Sequence, residues 1–278
     1  MKKMAIISIV IFLSLFFITS WKVRAQNAVE CFENGKIDWT TGVASATGIG
    51  APPAKPVNMA QARAMAKRAA VIVARRNLLE IIKGVRIDSL TLVKDFVVQS
   101  DIIRNQIDGY LERSQVVDIA YMSDGSVEAT VAMSLRGGFS NLMLPKSIQS
   151  IPAIRQPQVS PGAQGKAYTG LVVDTRGFQV KPAMSPKVMD EDGNEVYGSS
   201  YVSRDYAINQ GMAGYAKDLT AAQTNDRVTN NPLTVKGIKT ADTGDSDVVI
   251  SNADAARIKA SADNLTFLQK CRVMIVLD

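Results

Sequence analysis

The stretch from Asn58 to Gly84 constrains the fold of this 278-residue chain more than any other segment. Asn58 is placed to cap a helix, and Gln61 follows three residues later, the spacing of a capping box. Gly84 offers a C-terminal stop after Lys83. Between them, Ala62, Met65, Ala66, Ala69, Ile72, Val73 and Leu79 recur at helical spacing and form the predicted inner stripe. So many small residues let a helix approach its support closely, so this one is expected to lie against a sheet. Arg63, Lys67, Arg68, Arg75 and Arg76 decorate the same helix. They are read as a solvated basic face, with contact to an acidic partner or a lipid surface as the alternative.

The flanking segments supply that sheet. Residues 36–46 read as a strand, with Ile37, Trp39, Thr41 and Val43 in alternation. The run from Gly48 to Pro56 breaks it; Gly48-Ile-Gly50 lacks the third glycine of a dinucleotide loop. Residues 85–93 are a second predicted strand and 101–112 a shorter helix. Residues 114–122 and 126–135 form a hairpin around Ser123-Asp124-Gly125. The order β-α-β-α-β-β predicts a small sheet with two helices on one face.

Three groups of residues in this region carry a family resemblance. They are Ala62-Arg-Ala-Met-Ala-Lys-Arg-Ala-Ala70 leading to Ala74-Arg-Arg-Asn-Leu-Leu79, then Gly84-Val-Arg-Ile-Asp-Ser-Leu-Thr91, then the Asp-Gly hairpin. Over about residues 36–136 the chain resembles the Lpp-twenty lipoprotein-like domain and is similar to the N-terminal domain of flagellar assembly protein T. The resemblance implies an exported envelope module used in assembly or surface interaction, with no agreed enzymatic activity. Lipid anchoring is not expected, because Glu30 precedes Cys31 well beyond the apolar run.

Residues 143–166, with Pro145, Pro152, Pro157, Pro161, Gly162 and Gly165, read as a linker. The organisation expected is therefore a leader (1–25), an N-terminal segment (26–35), a first module (36–142), the linker, and a C-terminal module (167–278). The fold class is α+β or α/β, with a mixed second sheet. Strands are expected at 169–174, 178–181, 187–189, 195–197, 233–238 and 247–250. A helix capped by Ser203 is expected to reach Lys217. Ser251 and Asp254 form a capping box for a later helix, and residues 271–277 are a closing strand. Strand, helix and strand at the end suggest a right-handed parallel crossover. The apolar density of the last strand places it inside the sheet.

Lys2 and Lys3, an apolar run from Met4 to Ile18, and Val23-Arg24-Ala25 have the form of an export signal cut after Ala25. Left uncut, the run would serve as the chain's membrane contact. Four of the 32 basic residues lie in the leader with no acidic ones, leaving 28 against 26, a charge of +2. That balance, without an aromatic-plus-basic array, argues against nucleic acid as a partner. In an oxidising compartment the two cysteines, Cys31 and Cys271, suggest a disulfide tying the N-terminus to the last strand. Closing so long a loop is worth up to about 5 kcal/mol.

Histidine is absent, which removes the usual general base and the commonest transition-metal ligand. No catalytic residue, cofactor or metal is assigned. Asp190, Glu191, Asp192, Asn194 and Glu195 are the densest set of oxygen ligands, but an Asp-Gly hairpin accounts for them without calcium. Tyr197, Tyr201, Tyr206 and Tyr215 form the tentative partner surface. The expected function is a non-enzymatic, periplasmic or otherwise exported envelope protein. It would work through contact with envelope proteins or with itself. The alternatives are a glycan- or cell-wall-binding protein, and a His-free hydrolase built on Asp174, Asp190 and Asp192.

Overall fold

The computed structural model describes residues 27–148, 168–241, 244–260 and 262–278. The leader with its Ala25 cleavage point, and most of the predicted linker, lie outside them.

The first module is built on a five-stranded antiparallel sheet of order β1-β2-β3-β5-β4. Its strands are β1 (Val29–Phe32), β2 (Gly35–Asp38), β3 (Val43–Gly50), β4 (Gln115–Tyr121) and β5 (Val127–Ser134). The single strand predicted at 36–46 is thus two strands, because the chain turns at residues 39–42, where Gly42 has φ of 71°. The segment 26–35, expected to lie outside the module, contributes β1.

The long helix α1 (Met59–Lys83) starts as predicted. Asn58 Oδ1 accepts the Gln61 amide at 2.8 Å, while Gln61 Oε1 reaches one residue further back, to the Val57 amide at 2.8 Å. Its buried stripe is Ala62, Ala66, Ala70, Ala74, Leu78, Ile81 and Ile82. Met65 and Ile72, predicted to face inward, are exposed. The reason is that α1 meets the sheet along an alanine row at every fourth residue, opposite two glycines. A Cβ on Gly48 would come within 2.2 Å of the Ala74 amide, and one on Gly50 within 2.2 Å of the Ala66 carbonyl. Gly48 and Gly50 therefore belong to β3 and permit backbone-to-backbone approach, rather than ending the strand.

After α1, residues 85–93 do not join the sheet; only an isolated bridge joins Arg86 and Leu92. Val85 and Ile87 are buried because this segment lies against the second module, where the amides of Met184 and Ser185 donate to the carbonyls of Arg86 and Ile87 at 3.0 and 2.7 Å. Two helices follow, α2 (Val93–Gln99) and α3 (Asp101–Glu112), the second capped by Ser100. A further helix, α4 (Gly138–Met143), follows β5.

The second module is a seven-stranded mixed sheet of order β8-β7-β11-β10-β6-β12-β9. Its strands are β6 (Gly170–Asp174), β7 (Val188–Met189), β8 (Glu195–Tyr197), β9 (Gly214–Ala216), β10 (Pro232–Thr240), β11 (Val248–Ile250) and β12 (Val273–Val276). Strands β10, β6, β12 and β9 run parallel, and β11 runs antiparallel to β10. The helices are α5 (Arg204–Gln210), α6 (Leu219–Gln223), α7 (Asn252–Lys259) and α8 (Ala262–Gln269). Helix α6 packs with Val172, Met274 and Val276 on one face. Phe267 and Leu268 of α8 join Leu171, Val173 and Ile275 in the core on the other. Covered on both sides, β6, β9, β11 and β12 are buried throughout, as expected of parallel strands between helices.

The two modules together have the predicted α+β class. β12 lies inside the sheet, flanked by β6 and β9. Three expectations are corrected. Residues 178–181 form no strand. The helix capped by Ser203 stops at Gln210, because Gly211 (φ 80°) turns the chain into β9. The terminal strand–helix–strand is not a parallel crossover: β11 is antiparallel to β12 and separated from it by β10 and β6.

The modules share one continuous core that includes Ile37, Trp39, Leu78, Leu171 and Ile275. Trp39 meets Tyr215 edge to face at 5.8 Å, and Thr40 Oγ1 donates to the Tyr215 carbonyl at 3.0 Å. Residues 143–148 are no free linker: Leu144 and Ile148 are buried, and Arg204 donates to the carbonyls of Pro145 and Asn141, each at 2.9 Å.

Candidate functional site

The four tyrosines do not form a surface. Tyr197 and Tyr215 are buried in the core; Tyr197 donates to the Met212 carbonyl, and Tyr215 donates to the Ala183 carbonyl at 2.7 Å. Tyr201 is partly buried, its hydroxyl on the Glu195 carbonyl at 3.0 Å. Only Tyr206 among them is exposed. Tyr197, Tyr201 and Tyr215 pack into or against one core, and Tyr206 is left outside it.

The cysteines are both free thiols, so the expected bridge is not formed. Cys31 lies on the exposed edge strand β1. Cys271 is sealed in the second module at φ 52°, and burial pushes its thiol up to about 11. Nearby, Arg227 spends its guanidinium on the carbonyls of Gln210, Gly211 and Cys271.

The carboxylates proposed for a hydrolase are not brought together. Asp174 ends β6 and Asp190 follows β7, and these strands run in opposite directions, so the two groups sit at opposite ends of the sheet. Asp174 is clamped by Arg176 at 2.8 Å and faces Lys236 at 3.5 Å, and the Arg176 hydrogen bonds hold its pKa down at about 2. The acidic turn after β7 caps α7 instead. Glu191 Oε2 accepts the Asn252 amide at 2.9 Å, and Asp192 accepts from the Asn252 side chain at 3.0 Å. Burial works against ionisation of Asp190, but hydrogen bonds from Asn194 and the charge of Lys259 hold its pKa below the ordinary value. Carboxylates at a helix N-terminus are attracted to its positive dipole end and stabilise the helix. Among the described residues no three carboxylate or thiol groups gather as metal ligands.

The surface with the most binding potential lies instead along β4, the edge strand of the first sheet. Gln115, Val116, Val117, Asp118 and Tyr121 are all exposed. A bulge between Val116 and Asp118 interrupts the pairing with β5 and turns Val117 toward the sheet face that α1 does not cover. There Val117, with Val43, Ala132, Ser134 and Phe139, lines a hollow of about 450 Å³. Through the shared residues Tyr110, Arg113 and Gly138 this hollow continues into a groove of about 710 Å³ between α3 and α4. Asn105, Gln106 and Asn141 line that groove with amides. At the junction a Cβ on Gly138 would come within 2.3 Å of the Tyr110 hydroxyl, so the tyrosine ring would have to shift.

Basic groups dominate the path. Arg113 and Lys146 are exposed cations. Arg136 is half-buried and donates to the Thr40 carbonyl at 3.2 Å; burial pulls its pKa down. An unpaired strand edge beside a groove with amides and cations can accept an extended, acidic peptide segment. Its backbone would add to β4 and its side chains would enter the hollow. The hairpin containing β4 was legible in the sequence, and the adjacent Val116-Val117 pair signals a break in alternation. The groove was not, because its walls come from residues near 105, 140 and 204.

Residues 170–278, the whole seven-stranded sheet with its helices, match the family described as Treponema pallidum Tp0624, second domain. The match begins at the first residue of β6, so this part of the chain is similar to a domain recognised as a unit elsewhere. A search of curated proteins found no match to the chain. Among the described residues no helix is long and apolar enough to cross a membrane.

Proposed function

We propose that this chain is a non-enzymatic, exported cell-envelope protein that holds protein partners, with the β4 edge and its groove as the contact site. The observation that carries this reading is a long free edge whose guards are few, the bulge at Val116 and the charge of Asp118. β4 is seven residues long, exposes Val116, Val117 and Tyr121, and contains neither proline nor lysine, the usual guards of a free strand edge. The form of the leader and the Lpp-twenty resemblance of the first module support a periplasmic location and an assembly role. Burial of Tyr197 and Tyr215 removes half of the surface on which the glycan-binding alternative rested.

The test is a photo-crosslinking residue at position 117 in intact cells. Discrete protein adducts that disappear in the charge-reversed pair Arg113→Glu and Lys146→Glu are the expected result. Adducts indifferent to those charges, or labelling of cell-wall fragments in their place, would overturn the reading.

A further inference from the structure

The outer side of α1 is a further large surface of the first module that the β4 site leaves unused. From Met59 to Leu79 the helix contains five basic residues and no acidic one. Its alanine row faces the sheet, so helical geometry puts Met65, Arg68, Ile72 and Arg76 on the opposite ridge, at successive steps of three, four and four residues. All four are exposed, Met65 at 46% and Ile72 at 61%. Arg75 flanks it, while Arg63 and Lys67 lie round the helix toward one side of the alanine row. Arg75 touches Ser114 at 3.4 Å, and none of the five basic side chains is in an ion pair among the described residues. The nearest acidic group along the helix is Glu80, already paired with Lys83 at 2.9 Å. At the N-terminal end, Arg63 shares a shallow hollow with Asp124.

We infer that this ridge is a docking surface for an anionic phospholipid bilayer. Charge complementarity supplies the attraction, because Arg68, Arg75 and Arg76, none of them in an ion pair among the described residues, present their charges along the ridge to a plane of negative headgroups. The interleaved apolar side chains decide for a bilayer over an acidic protein. Met65 and Ile72 stand exposed between the arginines of the ridge, where they would enter the boundary between headgroups and acyl chains. The long basic side chains then reach back to the phosphates. The inference does not rest on the β4 site, but the two are compatible: with α1 against a membrane, β4 lies at the side of the sheet and stays open to a partner strand.

The experiment is co-sedimentation of the chain from residue 26 onward with vesicles. Residues 27–278 supply every strand of both sheets and the core described above. Vesicles of phosphatidylglycerol mixed with phosphatidylcholine are expected to pull the protein down; vesicles of phosphatidylcholine alone are not. Each cation near an anionic surface raises partitioning about fivefold, so Arg68→Gln with Arg76→Gln should lower it at least tenfold. Met65→Ser with Ile72→Ser keeps the charge and should leave binding more sensitive to salt. All four residues are exposed, so unchanged circular dichroism is expected for both double variants. Absence of binding to the anionic vesicles would overturn the inference, as would equal binding by the wild type and the charge variant. Loss of the position-117 crosslinks would leave it standing.

Discussion

Along β12 every residue is buried, and it sits between two parallel neighbours under helices on both faces. Along β4 five of seven residues are exposed, one edge is free, and only one face of the sheet is covered. The two strands belong to modules that share a core, yet they do different work. The seven-stranded sheet is nearly saturated: most of its apolar side chains, Tyr197, Tyr215 and its one cysteine are used internally. The five-stranded sheet has less to cover it, and the surfaces left over — a strand edge, a groove and a basic helix ridge — are where other molecules can attach. Binding potential has collected in the less completely packed half of the molecule, with Arg204 the one groove residue drawn from the segment that matches a described family.

Substitutions can break or sharpen that contrast. The largest effect is expected in the nearly saturated sheet. Ile275→Ala removes fully buried methylenes from a strand packed on both faces and should cost about 2–5 kcal/mol in urea unfolding. A loss under about 1 kcal/mol would mean the second sheet is looser than its burial implies. Next comes the contact of α1 with its sheet. Gly48→Ala drives a Cβ into the helix backbone and should cost about 1–3 kcal/mol. An unchanged melting curve would show that α1 can lift from β3.

Asp174→Asn should cost up to about 2 kcal/mol at neutral pH, since the carboxyl's pKa falls from its ordinary 3.8 to about 2. Because the folded value is the lower one, this stability is present above pH 4 and is lost as the pH falls toward 2. The wild type and the variant should therefore converge in acid, and parallel pH profiles would rule out the Arg176 clamp. The smallest effect on stability belongs to Val117→Lys at the free edge, within about 0.5 kcal/mol. The same change should reduce partner crosslinking sharply, because lysine guards an edge against strand addition. A large loss of stability would show that Val117 is structural and not a contact residue.

Local chemistry was readable from residue order alone. The capping pairs Asn58–Gln61 and Ser251–Asp254, the Asp-Gly hairpins and the internal position of the last strand all follow from interactions within a few residues or from apolar density. The inner face of α1 was misjudged because alanine carries little hydrophobic signal. Only the opposing glycines of β3 make an alanine row the closest line of approach. The disulfide and the tyrosine surface failed for a related reason: proximity in sequence, or an even count, says nothing about which side of a core a side chain enters.

What the sequence by itself determined is the list of elements and most of their ends, because caps, turns and periodicity act over a single turn of chain. What only the tertiary structure decided is which strand became an edge, which end of a sheet each carboxylate reached, and where three distant segments met to form a groove. Those depend on strand order and direction, which are set by burying the greatest apolar area over the whole molecule and not by any local preference.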